Sequence, residues 1–554
     1  MQISAEAHKD LIQTMSALQQ ERLPFWRLWQ ELANYYLPKR YVSLATDKDR
    51  RLRNAKNPNI IDATGTSAAR LLAAGMMNGV TSPARPWFSI RVPGFTDDPQ
   101  NAGKMWADEV TRRMQVVMGE TNFYNALATL YLDLSVFGTA AMLIYEDERD
   151  VFRCFNPALG EYYFGQDFGL RVNTFAREFT MTVRQIVAKW GVENCSETTK
   201  AAFKTGAAQL QQEITIYHII EPNDTPSAVP KAFDFRETYW EKGQSTGLVL
   251  SQKGFYESLP GIFPRWEVTG NDSYGTSPAM DALGDVIQLQ LESKRKAQGL
   301  DKMVRPPLVA DVQLQHQPTA LVPDGITYVS GINNVGVKPL YQVQLPIAEL
   351  SADILDVRAR IKNIFHNDLF DMISQLSTVR SATEIDARRE EKLVLLGSVL
   401  ERFENEALDP AINRIYQIMD RAGLIPEPPE EIAGAQLQIQ YVSILSTAQQ
   451  AVAAIPTERF LGMIGQVSGA APIALQLPNW DRLLRNYADA IGVKARDLNT
   501  PEQVEALMKS QEEQLAAQNA AVQGKELVDG ARTLSETDVG GGSNALQQVL
   551  GTLQ

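Results

Sequence analysis

Residues 273–307 read SYGTSPAMDALGDVIQLQLESKRKAQGLDKMVRPP, and this stretch decides the fold. Ser277 stands directly before Pro278, the pattern of a helix N-cap followed by proline at the first helical position. The predicted helix runs to about Met303, because the residue before a proline avoids helical backbone and Arg305 precedes two prolines. At about 1.5 Å per residue, about 26 residues form a rod roughly 39 Å long.

A second long helix is predicted after residue 346. Its apolar residues are spaced three, four, three, four and three positions apart, which is a heptad seam. The seam consists of Ile347, Leu350, Ile354, Val357, Ile361 and Ile364. It can pack against the first helix of the same chain, or against a neighbouring chain, because spacing alone names no partner.

The residues between the two helices have a different character. Residues 304–346 contain six prolines, few charges and the turn sequence Pro323-Asp324-Gly325, which together favour a small β-rich insertion. The insertion has to begin and end at one place, so the adjoining ends of the two helices should be close. The sequence therefore predicts a stalk of two helices with a small head.

The regions on either side of this stalk are predicted as follows. Residues 1–275 alternate helical and strand patterns and indicate a mixed α+β body. After the polar residues 374–380, Ser381 and Glu384 form an S-x-x-E capping box that starts a long helix. That helix should kink or restart at Pro410. Residues 426–554 begin with a proline-rich linker and are otherwise predicted to be helical.

Length and composition restrict the class of protein. The chain has 554 residues, of which 44% are hydrophobic and 21% charged, as in an ordinary globular protein of about three or four structural units. Its two cysteines, Cys154 and Cys195, are too few for a disulfide framework. The net charge of −13 argues against tight, nonspecific wrapping of nucleic acid, but it is compatible with DNA that slides past the protein.

Motifs of catalysis and cofactor binding are missing from the sequence. There is no phosphate-binding loop of the form G-x-x-x-x-G-K-[ST], no dinucleotide fingerprint and no zinc-protease or C-x-x-C motif. The acidic pairs Asp97-Asp98 and Glu390-Glu391 are interpreted as solvated surface. We therefore predict no catalytic, cofactor-binding or metal-binding residues. A metal-dependent DNA nuclease or hydrolase is the alternative, and it requires carboxylates or histidines that folding brings together.

Two uncharged stretches, residues 432–457 and 460–480, raise the question of a membrane. Glutamine, serine, glycine and proline interrupt both, whereas a span needs about 20 predominantly apolar residues. The N-terminus has no basic and apolar segments of a signal peptide. The prediction is buried helices without a membrane span. A membrane-conducting ejection protein is kept as a further alternative.

Several blocks of the sequence, taken in their order, resemble the portal, or head-to-tail connector, proteins of short-tailed (podovirus-type) tailed bacteriophages. The blocks extend from about residue 20 to residue 425. They are Arg22–Phe25, Tyr36–Pro38, Gly65–Ala73, Ser82-Pro83, Trp87-Phe88, Asp133–Gly138, Leu143–Tyr145, Ser273–Pro278 and Thr378–Ile385 with the helix that follows.

The resemblance implies an α+β, mostly helical portal architecture that agrees with the predicted stalk and head. An α+β wing would comprise residues 1–275 together with a long wing helix at 381–425, kinked at Pro410. Two stem helices would lie at 276–303 and 347–373, with a small β-containing clip at 304–346 between them. A channel, or tunnel, loop would occupy 374–380, and residues 426–554 would form a helical crown.

The same resemblance implies a structural role and a set of partners. Portal proteins form a ring of twelve copies at one capsid vertex, and double-stranded DNA passes through the ring during packaging and ejection without sequence-specific binding. The implied partners are further copies of the chain, the major capsid and scaffolding proteins, the terminase and then tail or adaptor proteins. The implied location is the virion, with the host cytoplasm during assembly.

Two groups of candidate site residues follow from this architecture. The channel loop would present Gln375, Leu376, Ser377, Thr378, Val379 and Arg380 to DNA. Arg380 would make weak phosphate contacts or, equally, a surface salt bridge near Glu384. On the first stem helix, the basic residues Lys294, Arg295 and Lys296 can face DNA, tail adaptors or solvent, and we rank solvent or an intersubunit ion pair first.

Overall fold

The computed structural model has the mixed helix-and-sheet, mostly helical fold expected from the sequence. It describes most of the chain up to residue 442 and isolated parts beyond it. The described residues are 2–40, 60–92, 102–224, 233–244, 247–255, 259–305, 308–310, 337–339, 346–374, 397–432, 434, 437–442, 460–466 and scattered positions between 478 and 533.

The helices of the described part have the following bounds. They are α1 (Ala5–Tyr35), α2 (Thr64–Val80), α3 (Ala102–Glu120), α4 (Phe123–Phe137), α5 (Val183–Trp190), α6 (Glu197–Thr205), α7 (Pro278–Asp281), α8 (Leu283–Val304), α9 (Ile347–Ile364), α10 (Asn367–Ser374) and α11 (Asp409–Arg421).

The strands that the structure describes form four sheets. The strands are β1 (Phe88–Arg91), β2 (Met142–Asp147), β3 (Val151–Phe155), β4 (Tyr162–Gln166), β5 (Val172–Thr182), β6 (Glu213–Pro222), β7 (Phe235–Glu241), β8 (Ser251–Phe255), β9 (Gly261–Ile262), β10 (Leu308–Ala310), β11 (Val337–Pro339) and β12 (Gln438–Tyr441). The largest sheet has the order β4-β5-β6-β7-β8, and the smaller ones are β3-β2-β9, β1-β12 and β10-β11.

The chain divides into two units. The first comprises Met1–Ile90, Asp108–Glu427 and Ile439–Val452, and it contains the five-stranded sheet and the predicted stalk helices. The second comprises Arg91–Ala107, Pro428–Gln438 and Ala453–Gln554. Its described residues include a helical segment at 460–466, in which Ile464 is buried.

The five-stranded antiparallel sheet builds two hydrophobic cores, one on each face, because successive side chains of a strand point to opposite sides. Leu11, Met15 and Leu18 of α1 pack on the face that carries Trp240. On the other face, Ile186 of α5 packs with Tyr239. Helix α1 therefore lies across one face of the sheet.

The helix predicted from residue 276 begins one residue after its cap. Ser277 is the N-cap, its hydroxyl accepts a hydrogen bond from the Met280 N–H, and Pro278 occupies the first turn. The helical path is divided at Ala282, between α7 and α8, and α8 ends at Val304. The N-cap and the proline stop predicted from the sequence are confirmed.

The segment 347–373, predicted as one helix, contains two helices. Helix α9 ends at Ile364 and α10 begins at Asn367. His366, between them, has a left-handed backbone with φ of 52°. Few residues other than glycine adopt that conformation, so the periodic sequence gave no sign of the break.

At Pro410, where the sequence predicts a kink or a restart of the helix, the structure has a widened helical turn. A π-helical turn, Glu404–Leu408, precedes α11, and the Asp409 N–H donates to the Glu404 carbonyl oxygen. A proline in a helix has no N–H and crowds the preceding turn, which a local widening of the helix relieves. The chain therefore continues as a helix past Pro410 instead of restarting from a new cap.

One boundary in the body differs from what its sequence predicts. The apolar run 136–145 is typical of a strand, but Val136 and Phe137 complete α4, and the strand β2 begins at Met142. Gly138 caps α4 with a left-handed backbone, φ of 69°. An apolar run that passes from a helix into a strand carries no periodic signal at the junction.

Candidate functional site

The predicted stalk starts at a joint with the α+β body. Gly275 lies against Gly138 so closely that a Cβ atom on Gly275 would stand 2.3 Å from the Gly138 carbonyl oxygen. The Gly275 N–H also donates to the Thr139 hydroxyl at 2.8 Å. Only glycine permits two backbones to approach in this way. Gly275, just before the first stalk helix, therefore makes a close backbone contact with Gly138 at the end of α4.

Ser277 and Tyr274 complete this joint. The Ser277 hydroxyl, which caps α7, donates to the Val136 carbonyl oxygen at 2.7 Å. Tyr274 is buried in a cluster of aromatic rings, with ring centroids 5.1 Å from Trp29 and 5.6 Å from Phe164. Its hydroxyl oxygen accepts the Phe164 N–H. Hydrogen bonds and ring packing thus fix the direction in which the stalk leaves the body.

A second attachment holds the two stalk helices to the residues before α2. The amide of buried Gln290 on α8 accepts from the Ile61 and Asp62 N–H groups and donates to the Asp62 carbonyl oxygen. Arg358 on α9 pairs with the Asp62 carboxylate at 2.6 Å. Burial by itself raises the pKa of Asp62, but hydrogen bonds from Thr64 and Arg358 outweigh it and lower that pKa. Asp62 is therefore held as an anion between the helices.

Helices α8 and α9 run antiparallel. Lys296 Nζ donates to the Ser351 hydroxyl at 2.7 Å, and Arg360 pairs with Asp285 at 3.2 Å. Residues that ascend along α8 therefore meet residues that descend along α9. The two contacts fix the register of the pair, and charged and polar groups hold it at both points.

The heptad seam of α9 packs mainly inside its own chain. Ile354, Val357 and Ile361 are buried, and α9 contacts α8 and α2. The flanking seam residues Ile347 and Leu350 are half-buried. The central residues of the seam are therefore buried by contacts within the same chain, which is one of the two alternatives that the spacing allowed.

The ends of the predicted insertion lie together. Strands β10 and β11 pair antiparallel, with Leu308 opposite Pro339 and Ala310 opposite Val337. Strand β10 follows α8, and β11 precedes α9. Their pairing brings the two ends of the insertion together, as the predicted stalk with a small head requires. The other residues of the insertion are outside the described part of the chain.

The candidate basic residues occupy different environments on α8. Lys294 and Arg295 are exposed, whereas Lys296 is half-buried against Ser351. The candidate channel-loop residues, Gln375 to Arg380, and the capping box Ser381–Glu384 lie outside the described residues. Their assignment stays a prediction.

A network of ionisable side chains that sequence reasoning missed lies inside the five-stranded sheet. Glu237 Oε1 contacts His218 Nε2 at 2.8 Å and accepts from the Tyr145 and Tyr239 hydroxyls. Arg177 Nε donates to His218 Nδ1 at 3.2 Å. Burial lowers the pKa of His218 to about 4, so it is neutral and donates to Glu237. Tyr145, Arg177 and His218 lie on three strands other than β7, which carries Glu237 and Tyr239, so no sequence spacing predicts the network.

This network contains the residue types of an acid–base site, but its central groups are buried away from solvent. His218 is fully buried and Glu237 is 5% exposed. Both ring nitrogens of His218 and Oε1 of Glu237 have hydrogen-bond partners inside the protein, which is the arrangement of a structural buried network. It ties the middle strands of the sheet to Tyr145 of β2.

In the described part of the chain, no group of three or more histidine, cysteine, aspartate or glutamate side chains is arranged to hold a metal ion. Among the helices that the structure describes, none has the length and apolar content that a membrane span requires.

The sequence matches the family of bacteriophage head to tail connecting proteins over residues 8–498, and the chain belongs to this family of portal proteins. It is similar to a "Probable portal protein" of Bordetella phage BPP-1, with 40% identity over 93% of each chain. It is also similar to a "Portal protein" of Salmonella phage epsilon15, with 37% identity over 96% of each chain.

Proposed function

We propose that twelve copies of this chain form a ring at one capsid vertex, through which double-stranded DNA enters during packaging and leaves during ejection. Membership of the head-to-tail connecting family over nearly the whole chain carries this proposal. The antiparallel pair α8–α9, with an insertion that begins and ends at one place, is an arrangement suited to the wall of a channel.

The assignment of parts follows the same proposal. The stem is α7–α8 and α9–α10, the clip is residues 304–346, the channel loop is 374–380, the wing is 1–275 with 381–425, and the crown is 426–554. The clip would dock the terminase during packaging, and tail or adaptor proteins afterwards. The major capsid and scaffolding proteins would surround the ring in the virion, after assembly in the host cytoplasm.

The proposed role is structural, and the chemistry of DNA translocation would belong to the terminase. Supporting this, the sequence has no phosphate-binding loop for ATP. A channel through which DNA slides has to avoid many tight cationic contacts to phosphate. A subunit with net charge −13, repeated around a ring, is compatible with that requirement.

Negative-stain microscopy and native mass measurement of the purified chain test the proposal. Rings with an axial hole and a mass of 12 × 61.6 = 739 kDa are expected. Deletion of residues 374–380 is expected to leave the rings intact while DNA packaging or retention falls. A chain that stays monomeric over a range of salt concentrations would contradict the proposal, and rings that fail only in the deletion variant would contradict the placement of the channel loop.

A further inference from the structure

The buried network of the five-stranded sheet ends on one side in a cation. Arg177 of β5 donates from Nε to His218 Nδ1 at 3.2 Å, and His218 in turn contacts Glu237. The guanidinium carbon of Arg177 lies 3.9 Å from the ring centroid of Phe179 and 5.0 Å from that of Phe155, within the range of cation–π contacts. The network and the two rings therefore fix the orientation of the guanidinium group.

The terminal nitrogens of Arg177 are left for a further partner. Because Nε is bound to His218, the edge formed by Nη1 and Nη2 points away from that contact. In the part of the chain that the structure describes, these two nitrogens have no hydrogen-bond acceptor, and no carboxylate forms an ion pair with Arg177. Arg177 is only 8% exposed, and arginine is seldom so deeply buried without a counter-charge. Its terminal edge matches the two oxygens of a carboxylate.

Two lysines extend the positive charge across the same face of the sheet. Lys189 of α5 has its Nζ atom 4.7 Å from the ring centroid of Trp190 and 5.0 Å from that of Tyr239. Lys253 of β8 is directly opposite Glu237, so its side chain lies on the face of the buried network. Both lysines are exposed, and neither forms an ion pair with a carboxylate of the described residues.

The three cations lie within electrostatic reach of one another. Partial desolvation lowers the pKa of Lys189, attraction to Glu237 raises it, and repulsion from Arg177 and Lys253 lowers it again. Like charges that converge in this way favour the binding of an anion, because the anion relieves their mutual repulsion.

The spacing of the cations fits an extended peptide. Strands β5 and β8 are three strand spacings apart, which is about 14 Å, and Lys189 lies over Tyr239 of β7 between them. Alternate side chains of an extended chain point to one side and are about 6.6 Å apart, so three of them span about 13 Å. Acidic residues at every second position therefore match the three cations.

Duplex DNA fits this surface less well than such a peptide. The guanidinium group of Arg177 is recessed between Phe155 and Phe179, where a carboxylate at the end of a side chain can reach it. The phosphates of a duplex belong to a bulky backbone, and the net charge of −13 on the chain opposes the approach of a polyanion.

We propose that Arg177, Lys189 and Lys253 form a docking site for an extended acidic segment of a partner protein. Arg177 binds one aspartate or glutamate carboxylate through Nη1 and Nη2, and the two lysines bind further carboxylates of the same segment. His218 and Glu237 are positioning residues that hold the guanidinium group. The site belongs to β5, β8 and α5 and includes no residue of the proposed stem, clip or channel loop, so the inference goes beyond the proposed channel.

Peptide binding to the full-length chain tests the site. Fluorescein-labelled hexaglutamate is the probe, hexaglutamine is the uncharged control peptide, and fluorescence anisotropy at about 0.05 M salt is the measurement. Hexaglutamate is expected to bind and hexaglutamine is not. Arg177→Gln should weaken binding by about tenfold or more, because charged hydrogen bonds are lost. Arg177→Lys should also weaken it, since an ammonium group lacks the two-nitrogen edge.

The lysines have a matched control on their own helix. Lys189→Gln and Lys253→Gln should each weaken binding by about threefold, as expected for exposed charge pairs. Arg184→Gln removes the same charge from an exposed position of α5, about 140° around the helix from Lys189, and should leave the affinity unaltered.

The outcomes decide for or against the site in every case. Hexaglutamate that does not bind, or that binds equally to the wild type and to Arg177→Gln, overturns the inference. If circular dichroism shows that Arg177→Gln does not fold, the exposed double variant Lys189→Gln with Lys253→Gln carries the test, and unaltered binding to it overturns the inference. A duplex oligonucleotide that binds through these residues while hexaglutamate does not would assign them to nucleic acid. Ring formation by the wild type is measured separately, so failure of the proposed ring and failure of this site are distinguishable.

Discussion

Replacing Gly275 with alanine tests the joint from which the stem leaves the body. A Cβ atom at this position would stand 2.3 Å from the Gly138 carbonyl oxygen, 3.0 Å from the Glu267 carbonyl oxygen and 3.1 Å from the Arg265 Cβ atom. Two of these neighbours are backbone atoms, which no rotamer change can move aside. Either the contact with Gly138 opens or the turn shifts.

The size of the effect follows from two opposing contributions. An added methyl group in a packed contact costs about 1–3 kcal/mol. Alanine also lowers the conformational entropy of the unfolded chain, and this stabilises the folded state by about 0.4–1 kcal/mol. The expected net loss for Gly275→Ala is about 1.5 kcal/mol. Gly138→Ala adds strain of about 1–2 kcal/mol, because φ there is 69°.

Thermal unfolding of the purified chain measures this loss. The unit that contains the joint has roughly 400 residues, and unfolding entropy is about 2.1 cal/mol/K per residue. Gly275→Ala should then lower its Tm by about 2 °C and Gly138→Ala by about 3–4 °C. Gly284→Ala is the control, since no atom lies within 4 Å of a Cβ there, and alanine favours the helix. A Gly275→Ala variant as stable as Gly284→Ala would refute the reasoning.

Two further predictions concern pH. Burial, with repulsion from Asp409 and Glu401, raises the pKa of Glu404 to about 7. The contribution of Glu404 to the free energy of unfolding is therefore complete below pH 4.5 and is lost as pH rises through 7. Glu404→Gln should therefore exceed the wild type in stability at pH 8 by up to about 3 kcal/mol and match it near pH 4. The lowered pKa of His218 has the opposite sign, because its contribution is present above pH 6.5 and is lost as pH falls toward 4. The Tm of the wild-type chain should fall over that interval, and less steeply in His218→Gln.

Each pH prediction has its own control and contradiction. For Glu404, the exposed Glu120, which is not among the carboxylates that repel Glu404, serves as control, and Glu120→Gln should not alter the pH profile comparably. A Glu404→Gln variant whose advantage is the same at pH 4 and pH 8 would exclude titration as its cause. For His218, a wild-type Tm that stays constant between pH 6.5 and pH 4 would contradict the account, with circular dichroism as the measurement.

Local chemistry in the sequence was enough to predict both ends of the first stalk helix and the buried face of the second. Ser277 and Pro278 mark a helix start through their own hydroxyl and ring, and the prolines after Arg305 mark a stop. The heptad spacing predicted which side of α9 is buried, and Ile354, Val357 and Ile361 are indeed buried. The resemblance to portal proteins, carried by short blocks in order, agrees with the family match.

The sequence did not reveal two kinds of detail. The first is local backbone geometry, because a periodic pattern passes over the break at His366 and the π-helical turn before Pro410. The second is contact between residues far apart in the chain. Lys294, Arg295 and Lys296 are consecutive, yet only Lys296 meets a partner in the described part, Ser351, which is 55 residues away.

The sequence by itself determined the element types, the stalk with its insertion and the family, because capping, proline stops and hydrophobic periodicity act between residues a few positions apart. Only the tertiary structure decided that Gly275 must meet Gly138, that Gln290 and Arg358 both hold Asp62, and that buried His218 donates a hydrogen bond to Glu237. Such contacts join distant segments, and their energies depend on distance and burial, which exist only once the chain has folded.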